Sequence, residues 1–168
     1  MASEIGFTIE SEMPDVNTLA SISADIPLND IAERCVQDIK GNIRRGVTWN
    51  GKRYKGLSEK TRDEKRKKGY SQPDTALFRT GLLFKAVRKY KLRKNLHMVG
   101  VSPVGKPDRE WLADIHQLKG VNKHTRVIRA FFGISSKRVR WARSRMNRWF
   151  KSVINKAYLH KVREKRSY

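Results

Sequence analysis

The residues able to do acid–base or metal chemistry are few and poorly spaced for it. The four histidines are His97, His116, His124 and His160, and Asp114 stands two residues before His116. A metal-dependent nuclease needs several such ligands converging on one ion. Residues two apart on a helix do not share a face, and the spacing fits no zinc pattern. His116 reads instead as a hydrogen-bonding residue at a helix end. Gly51-Lys52 and Gly105-Lys106 lack the upstream glycine and the following Ser or Thr of a phosphate loop. No Ser/His/Asp arrangement is readable from chain order. Paired-carboxylate catalysis would fall to Asp108, Glu110 or Asp114, with no other feature to support it. The sequence therefore predicts a protein that is not an enzyme and has no metal and no cofactor.

What the chain does supply is positive charge. From Arg126 to Tyr168, fourteen Lys and Arg stand against one acid, Glu164. Within that run Val139, Ala142, Met146, Trp149 or Phe150, Val153 and Ala157 recur at three- and four-residue steps. That is an apolar stripe on a helix whose other faces are basic. Ser135 or Ser136 caps it. A helix from there to about Arg163 is roughly 40 Å long, too long for one small core to cover. A helix so cationic repels itself unless something anionic lies against it. Arg138, Arg143, Arg145, Arg148, Lys151 and Lys156 are the interface candidates. They cannot all find acids within their own subunit, and charge spread along a helix does not suit base readout.

The charge is also divided along the chain. Residues 1–40 carry two basic and eight acidic residues, whereas residues 41–168 carry thirty-six and eight, for a total of +22. Such a chain can bind head to tail, the acidic end of one copy on the basic end of the next, or can hold nucleic acid through its basic part. At 168 residues it suits one domain, and its 38% hydrophobic content implies a modest core that partner subunits complete. The single cysteine, Cys35, excludes an intramolecular disulfide and reads as a small core residue. No apolar run is long enough to span a membrane, and the N-terminus has no signal pattern, so a soluble chain made in a reducing compartment is expected.

The elements that must carry these charges form an α+β pattern. Ile5, Phe7 and Ile9 alternate as a short strand within 1–12. A helix starts near Asn29 or Asp30, carries Ile31, Cys35, Val36, Ile39 and Ile43 on one face, and ends at Gly46. A loop with an Asn50-Gly51 turn follows. Ser58 caps a very basic helix over 59–68, stopped by Gly69, which is either a solvated face or an anion-facing surface. Residues 82–92 are ambiguous: the first half can be helix, while Val87, Lys89, Lys91 and Arg93 suggest an exposed edge or hairpin strand. Leu96, Met98, Gly100 and Val101 form its partner through a turn at Lys94-Asn95. A short helix is predicted over 110–118, ended by Gly120, and a strand over Val127–Phe132. This gives a small antiparallel sheet packed with helices over 1–134 and a long basic C-terminal helix over 135–168.

Several stretches, taken in order, resemble a known family. They are Ile43-Arg44-Arg45-Gly46, the segment from Trp49 and Tyr54 to Leu57-Ser58-Glu59-Lys60-Thr61, and Leu77-Phe78-Arg79-Thr80-Gly81-Leu82-Leu83. Then come Met98-Val99-Gly100-Val101, Ile115-His116-Gln117-Leu118-Lys119-Gly120 and Arg129-Ala130-Phe131-Phe132-Gly133-Ile134-Ser135. Across roughly residues 28–155 the chain is similar to the virion-morphogenesis, or tail-completion, proteins of tailed bacteriophages, the Mu-like ones in particular. Ala130 stands where that family usually has proline, and the helix after it is basic where the family's is commonly acidic, which leaves the docking partner open.

The resemblance implies a structural protein of the phage neck or upper tail, made in the host cytoplasm and carried in the virion. It implies a homo-oligomeric ring, six-fold by preference, between the head-side connector and the tail tube or tail terminator, with no membrane partner and with possible DNA contact in the channel. The motif residues Trp49, Tyr54, Leu57, Thr61, Leu77, Gly81, Leu82, His116, Gly120, Arg129, Phe132 and Gly133 read as residues of the fold, with Trp49, Tyr54, Leu57, Leu77, Leu82 and Trp111 beneath the sheet. The alternative is a basic nucleic-acid-binding module without enzymatic activity.

Overall fold

The computed structural model describes residues 22–101, 116–117 and 127–165, with side chains as far as Lys156. The strand expected within 1–12, the helix expected over 110–118 apart from His116 and Gln117, Trp111, Gly120 and His124 lie outside the described residues. The elements run α1 (Asp25–Arg45), α2 (Glu59–Lys67), α3 (Leu82–Ala86), β1 (Val87–Arg93), β2 (Leu96–Val101) and α4 (Ser136–Lys165). The class is α+β, with a two-stranded antiparallel hairpin as its sheet among the described residues.

The central element is α1. Ala32, Cys35, Val36, Ile39 and Ile43 are buried at helical spacing, as the stripe requires. The helix ends at Gly46, whose φ of 68° is the left-handed conformation that glycine adopts without steric cost. Its start differs from expectation. The helix begins at Asp25 and takes Pro27 into its first turn, where a missing N–H is tolerated. The hairpin braces that start. Asn95 Oδ1 accepts from the Ala24 N–H at 2.7 Å, and Asp25 Oδ1 accepts from the Asn95 N–H at 2.8 Å. The first helical N–H, of Asp25, goes to Ser23 Oγ at 3.3 Å, so the start of α1 is fixed from Ser23 and from the hairpin together rather than from Asn29.

The hairpin lies across α1. Val87 pairs with Val101 and Tyr90 with Met98, and Asn95 turns the chain at φ 60°. Val87, Lys89 and Lys91 share one strand face; the exposed hairpin strand the sequence suggested is present, with Val87 buried against α1 at its root and Lys91 and Arg93 exposed toward the turn. Val87 is fully buried, Lys89 Nζ lies 2.9 Å from Glu33 Oε2, and Lys91 Nζ lies 2.6 Å from Asp25 Oδ2. The cations are tolerated on that face because α1 places Asp25, Asn29 and Glu33 at four-residue steps opposite them.

The core joins Val36, Ile39, Ile43, Leu83, Val87 and Phe131, with Tyr54, Leu77 and Phe132 packed around it. Three expected core residues are elsewhere. Leu82 is 44% exposed because the single turn of α3 carries Leu83 and Ala86 inward at an i, i+3 step. Trp49 is 37% exposed and covers the chain at Gly133 from outside. Leu57 is half-buried and sits outside the core cluster. The expected strand over Val127–Phe132 is an irregular extended segment. Its polar groups go to single partners: Arg129 N–H to His116 O at 2.8 Å, and Trp49 N–H to Ala130 O at 3.0 Å. Apolar β-branched composition here supplies Phe131 to the core without a ladder.

Candidate functional site

The C-terminal helix is held by two ion pairs. Arg138 forks onto Asp38, Nε to Oδ2 at 2.5 Å and Nη2 to Oδ1 at 2.9 Å, while its guanidinium stacks 4.9 Å from the Trp141 ring. Arg145 Nη2 reaches Asp30 Oδ2 at 2.7 Å. The hydrogen-bonded Asp38 raises the pKa of Arg138. α4 advances seven residues between these contacts while α1 retreats eight, so the helices run antiparallel. On that register the first residue of α1 stands opposite about Phe150. The remainder of α4, to Lys165, extends past it by about 22 Å.

Two of the interface candidates are therefore part of the internal docking surface. The acids that receive Arg138 and Arg145 lie about a hundred residues away, not in the local run where only Glu164 was available. Ala142, Met146, Trp149 and Val153 of the predicted stripe are half-buried, whereas Val139 and Phe150 are exposed. Trp149, not Phe150, continues the docked face. Ser135 is the cap: its Oγ accepts from the Arg138 N–H at 3.2 Å.

The opposite face of α4 is continuous cation. Arg140, Arg143, Ser144, Asn147, Arg148 and Lys151 line one shallow hollow of about 350 Å³. Among the described residues no carboxylate pairs with any of these four cations. Lys156 is exposed beyond the end of α1. Arg140 was missed in the sequence, although its i+3, i+7, i+11 relation to Arg143, Asn147 and Lys151 would have found it. Beside the root of α4, a cleft of about 730 Å³ brings Trp49 and Trp141 together with Arg34, Arg45 and Lys137.

Four of the eight acids in residues 1–40 are paired internally along α1. Asp25 pairs with Lys91, Asp30 with Arg145, Glu33 with Lys89 and Asp38 with Arg138. Hydrogen bonds from Lys91 and the Asn95 backbone hold the Asp25 carboxyl well below the usual range, and Lys89 lowers Glu33. These four acids are thus paired within the chain. The acids left for head-to-tail binding are Glu4, Glu10, Glu12 and Asp15.

The family-like motifs meet in space as fastenings. Ser58 Oγ accepts from the Thr61 N–H at 3.3 Å and caps α2. Gln117 clasps Phe132 from both sides, donating to its carbonyl at 2.8 Å and accepting from its N–H at 3.0 Å. Gly81 takes φ 73° ahead of α3, and Leu77 takes φ 64° without being glycine. In the basic helix α2, Lys65 is buried and donates to the carbonyls of Gln72 and Thr75, both at 2.8 Å. It latches the following loop, a role neither sequence reading gave it.

His116 accepts the Arg129 N–H on its carbonyl, while its ring Nδ1 is buried without a partner among the described residues. Burial, and then the charge of Arg129, push its pKa down to about 4. Asp114 and His124 are outside the described residues, and no group of three His, Cys, Asp or Glu gathers among those described. Cys35 is buried, and burial raises its thiol pKa, which keeps it inert. No helix among the described residues is long and apolar enough to cross a membrane.

Comparison of the chain with protein-family models, with curated proteins and with solved structures finds no match. What the fold defines is an α+β chain with a cationic helix clamped at its root and, among the described residues, bare of carboxylates along its outer face.

Proposed function

We propose that the protein is a structural subunit of the neck or upper tail of a tailed-bacteriophage particle, a ring-forming component that completes the tail and joins it to the head-side connector. The observation that carries this reading is α4. Its first half is bound to α1, its outer face presents Arg140, Arg143, Arg148 and Lys151, and its last turns run past the start of α1. A helix so placed is built to meet an anionic neighbour. The ordered motifs agree in kind, since Thr61, Gln117, Phe132 and Gly133 act as fastenings of a scaffold.

The outer face meets acidic protein or the DNA in the channel without base specificity. The experiment is Arg140→Glu, Arg143→Glu and Arg148→Glu together in the phage, with electron microscopy of the lysate. Filled heads beside separate tails are expected. Heads joined normally to tails overturn the reading.

A basic nucleic-acid-binding module is the second reading. It is favoured by the cleft in which Trp49 and Trp141 lie among cations, since rings interleaved with positive charge suit single strands. It predicts steeply salt-dependent binding to random nucleic acid and normal head–tail joining in the mutant lysate.

A further inference from the structure

At the far end of α1 from the hairpin turn, a pocket of about 600 Å³ opens between α2, the loop that follows it and the extended segment before α4. Two of its cations are buried: Lys65, whose Nζ is taken by the Gln72 and Thr75 carbonyls, and Arg129, 8% exposed. Arg129 Nε has no hydrogen-bond partner and Arg129 has no carboxylate partner among the described residues. Burial lowers its pKa. The Nδ1 of His116, also on the wall, and the buried hydroxyl of neighbouring Tyr54 are without partners as well. Buried polar groups are ordinarily satisfied, and a buried charged group left short of partners is costly. Three such groups around one opening describe a site whose acceptor arrives from elsewhere.

The rest of the wall narrows the choice. Lys55, Lys68 and Arg79 add positive charge, Glu64 is the one carboxylate among the lining residues, and Leu57, Leu77 and Phe78 supply an apolar floor. A strongly hydrated phosphodiester backbone has no use for such a floor, whereas a carboxylate on an apolar chain matches both features. With the acids of α1 spent, residues 1–15 hold Glu4, Glu10, Glu12 and Asp15 and no basic residue, interleaved with Ile5, Phe7 and Ile9. That segment joins α1 at Asp25. The pocket adjoins the other end, where the Tyr54 N–H bonds Gly46 O at 2.9 Å, about 30 Å away along the helix. One end of a subunit meeting the opposite end of the next is the heterologous contact that closes rings.

We infer that the pocket over Arg129 receives a glutamate of the N-terminal segment of a second copy, and so forms the head-to-tail joint between subunits. The inference rests on the ring-forming reading above. Sedimentation velocity at low salt, on the full chain, tests it with wild type, Arg129→Leu and the triple Glu4→Gln, Glu10→Gln, Glu12→Gln. Wild type is expected to assemble. Each variant is expected to weaken association at least tenfold, and their combination to weaken it no further, since both remove the same contact. The Arg129→Leu monomer should melt no lower than wild type, because it replaces an unpaired buried charge. The exposed rim variant Lys55→Glu, Arg79→Glu should weaken association without entering the fold, and it keeps the test open if Arg129→Leu does not fold. Assembly that is unchanged in the glutamine and rim variants overturns the pocket while the ring stands. A wild type that stays monomeric at every concentration overturns the ring itself. Loss of duplex DNA affinity in the rim variant with association intact assigns the site to phosphate and overturns the inference.

Discussion

A Cβ on Gly133 would lie 2.5 Å from Cγ of Trp49, closer than side-chain carbons approach in a folded protein. The indole is laid directly on the glycine, and the Trp49 N–H bonds the carbonyl of Ala130 at 3.0 Å beside it. This is how the loop after α1 is fixed to the segment that leads into α4.

Gly133→Ala should therefore destabilise the protein by about 1–3 kcal/mol, the usual cost of forcing an added methyl into a packed contact. In a Trp49→Ala background the same change should cost little, because the clashing ring is gone. Urea unfolding of the four proteins measures both numbers. An equal cost in the two backgrounds would place the strain elsewhere.

The two halves of α4 should respond differently to truncation. A chain stopped after Phe150 keeps Arg138 on Asp38 and Arg145 on Asp30, and should melt within a few degrees of wild type. A chain stopped after Ser136 leaves both carboxylates on α1 unpaired and uncovers its docked face, and should melt markedly lower. Circular dichroism melts compare them, and amide exchange should be slower before Trp149 than after it.

Lys65→Met should cost about 1–3 kcal/mol, although it removes a charge from the most basic helix of the first half. The Gln72 and Thr75 carbonyls would each lose a donor that reaches them at 2.8 Å. Neighbouring Lys67 is exposed, and Lys67→Met should be neutral. Thermal melts of the two variants in one buffer settle whether the latch matters.

Stability should fall in two stages on acidification. His116 has a folded pKa near 4, below its ordinary 6.5, so the unfolded chain takes up a proton first. Its contribution is full above pH 6.5 and is lost between about 6.5 and 4. Asp25, held below its ordinary 3.8, contributes above that value and loses its share as the pH drops further. His116→Gln should flatten the first stage and leave the second. Denaturation midpoints across pH 3–7 show whether the stages separate.

Much of the architecture was legible because it is local. The stripe of α1, the cap at Ser58, the turn at Lys94-Asn95 and the start of α4 each follow from residues a few positions apart. What escaped was set at long range. Asn95 braces the start of a helix 70 residues earlier, beside the local bond from the Asp25 N–H to Ser23, and the start of α1 was placed too late. Asp30 and Asp38 answer Arg145 and Arg138 from the other end of the chain, so the C-terminal cations looked more solitary than they are. Trp49 read as core by size alone, whereas its place is decided by a glycine 84 residues on. The pocket over Arg129 left no mark in the sequence, because a buried arginine without a partner is recognised only once its neighbours are in place.

The pairing of α1 with α4 also orders events during synthesis. Asp38 meets Arg138 across 100 residues of chain, and Asp30 meets Arg145 across 115. At translation rates of about 5–20 residues per second, a nascent α1 spends on the order of 5–20 s with those two carboxylates bare. A chain released before Arg138 never neutralises them. Finished and unfinished chains thus differ in charge on α1 itself, and only a chain translated through Arg145 carries that helix with both carboxylates answered.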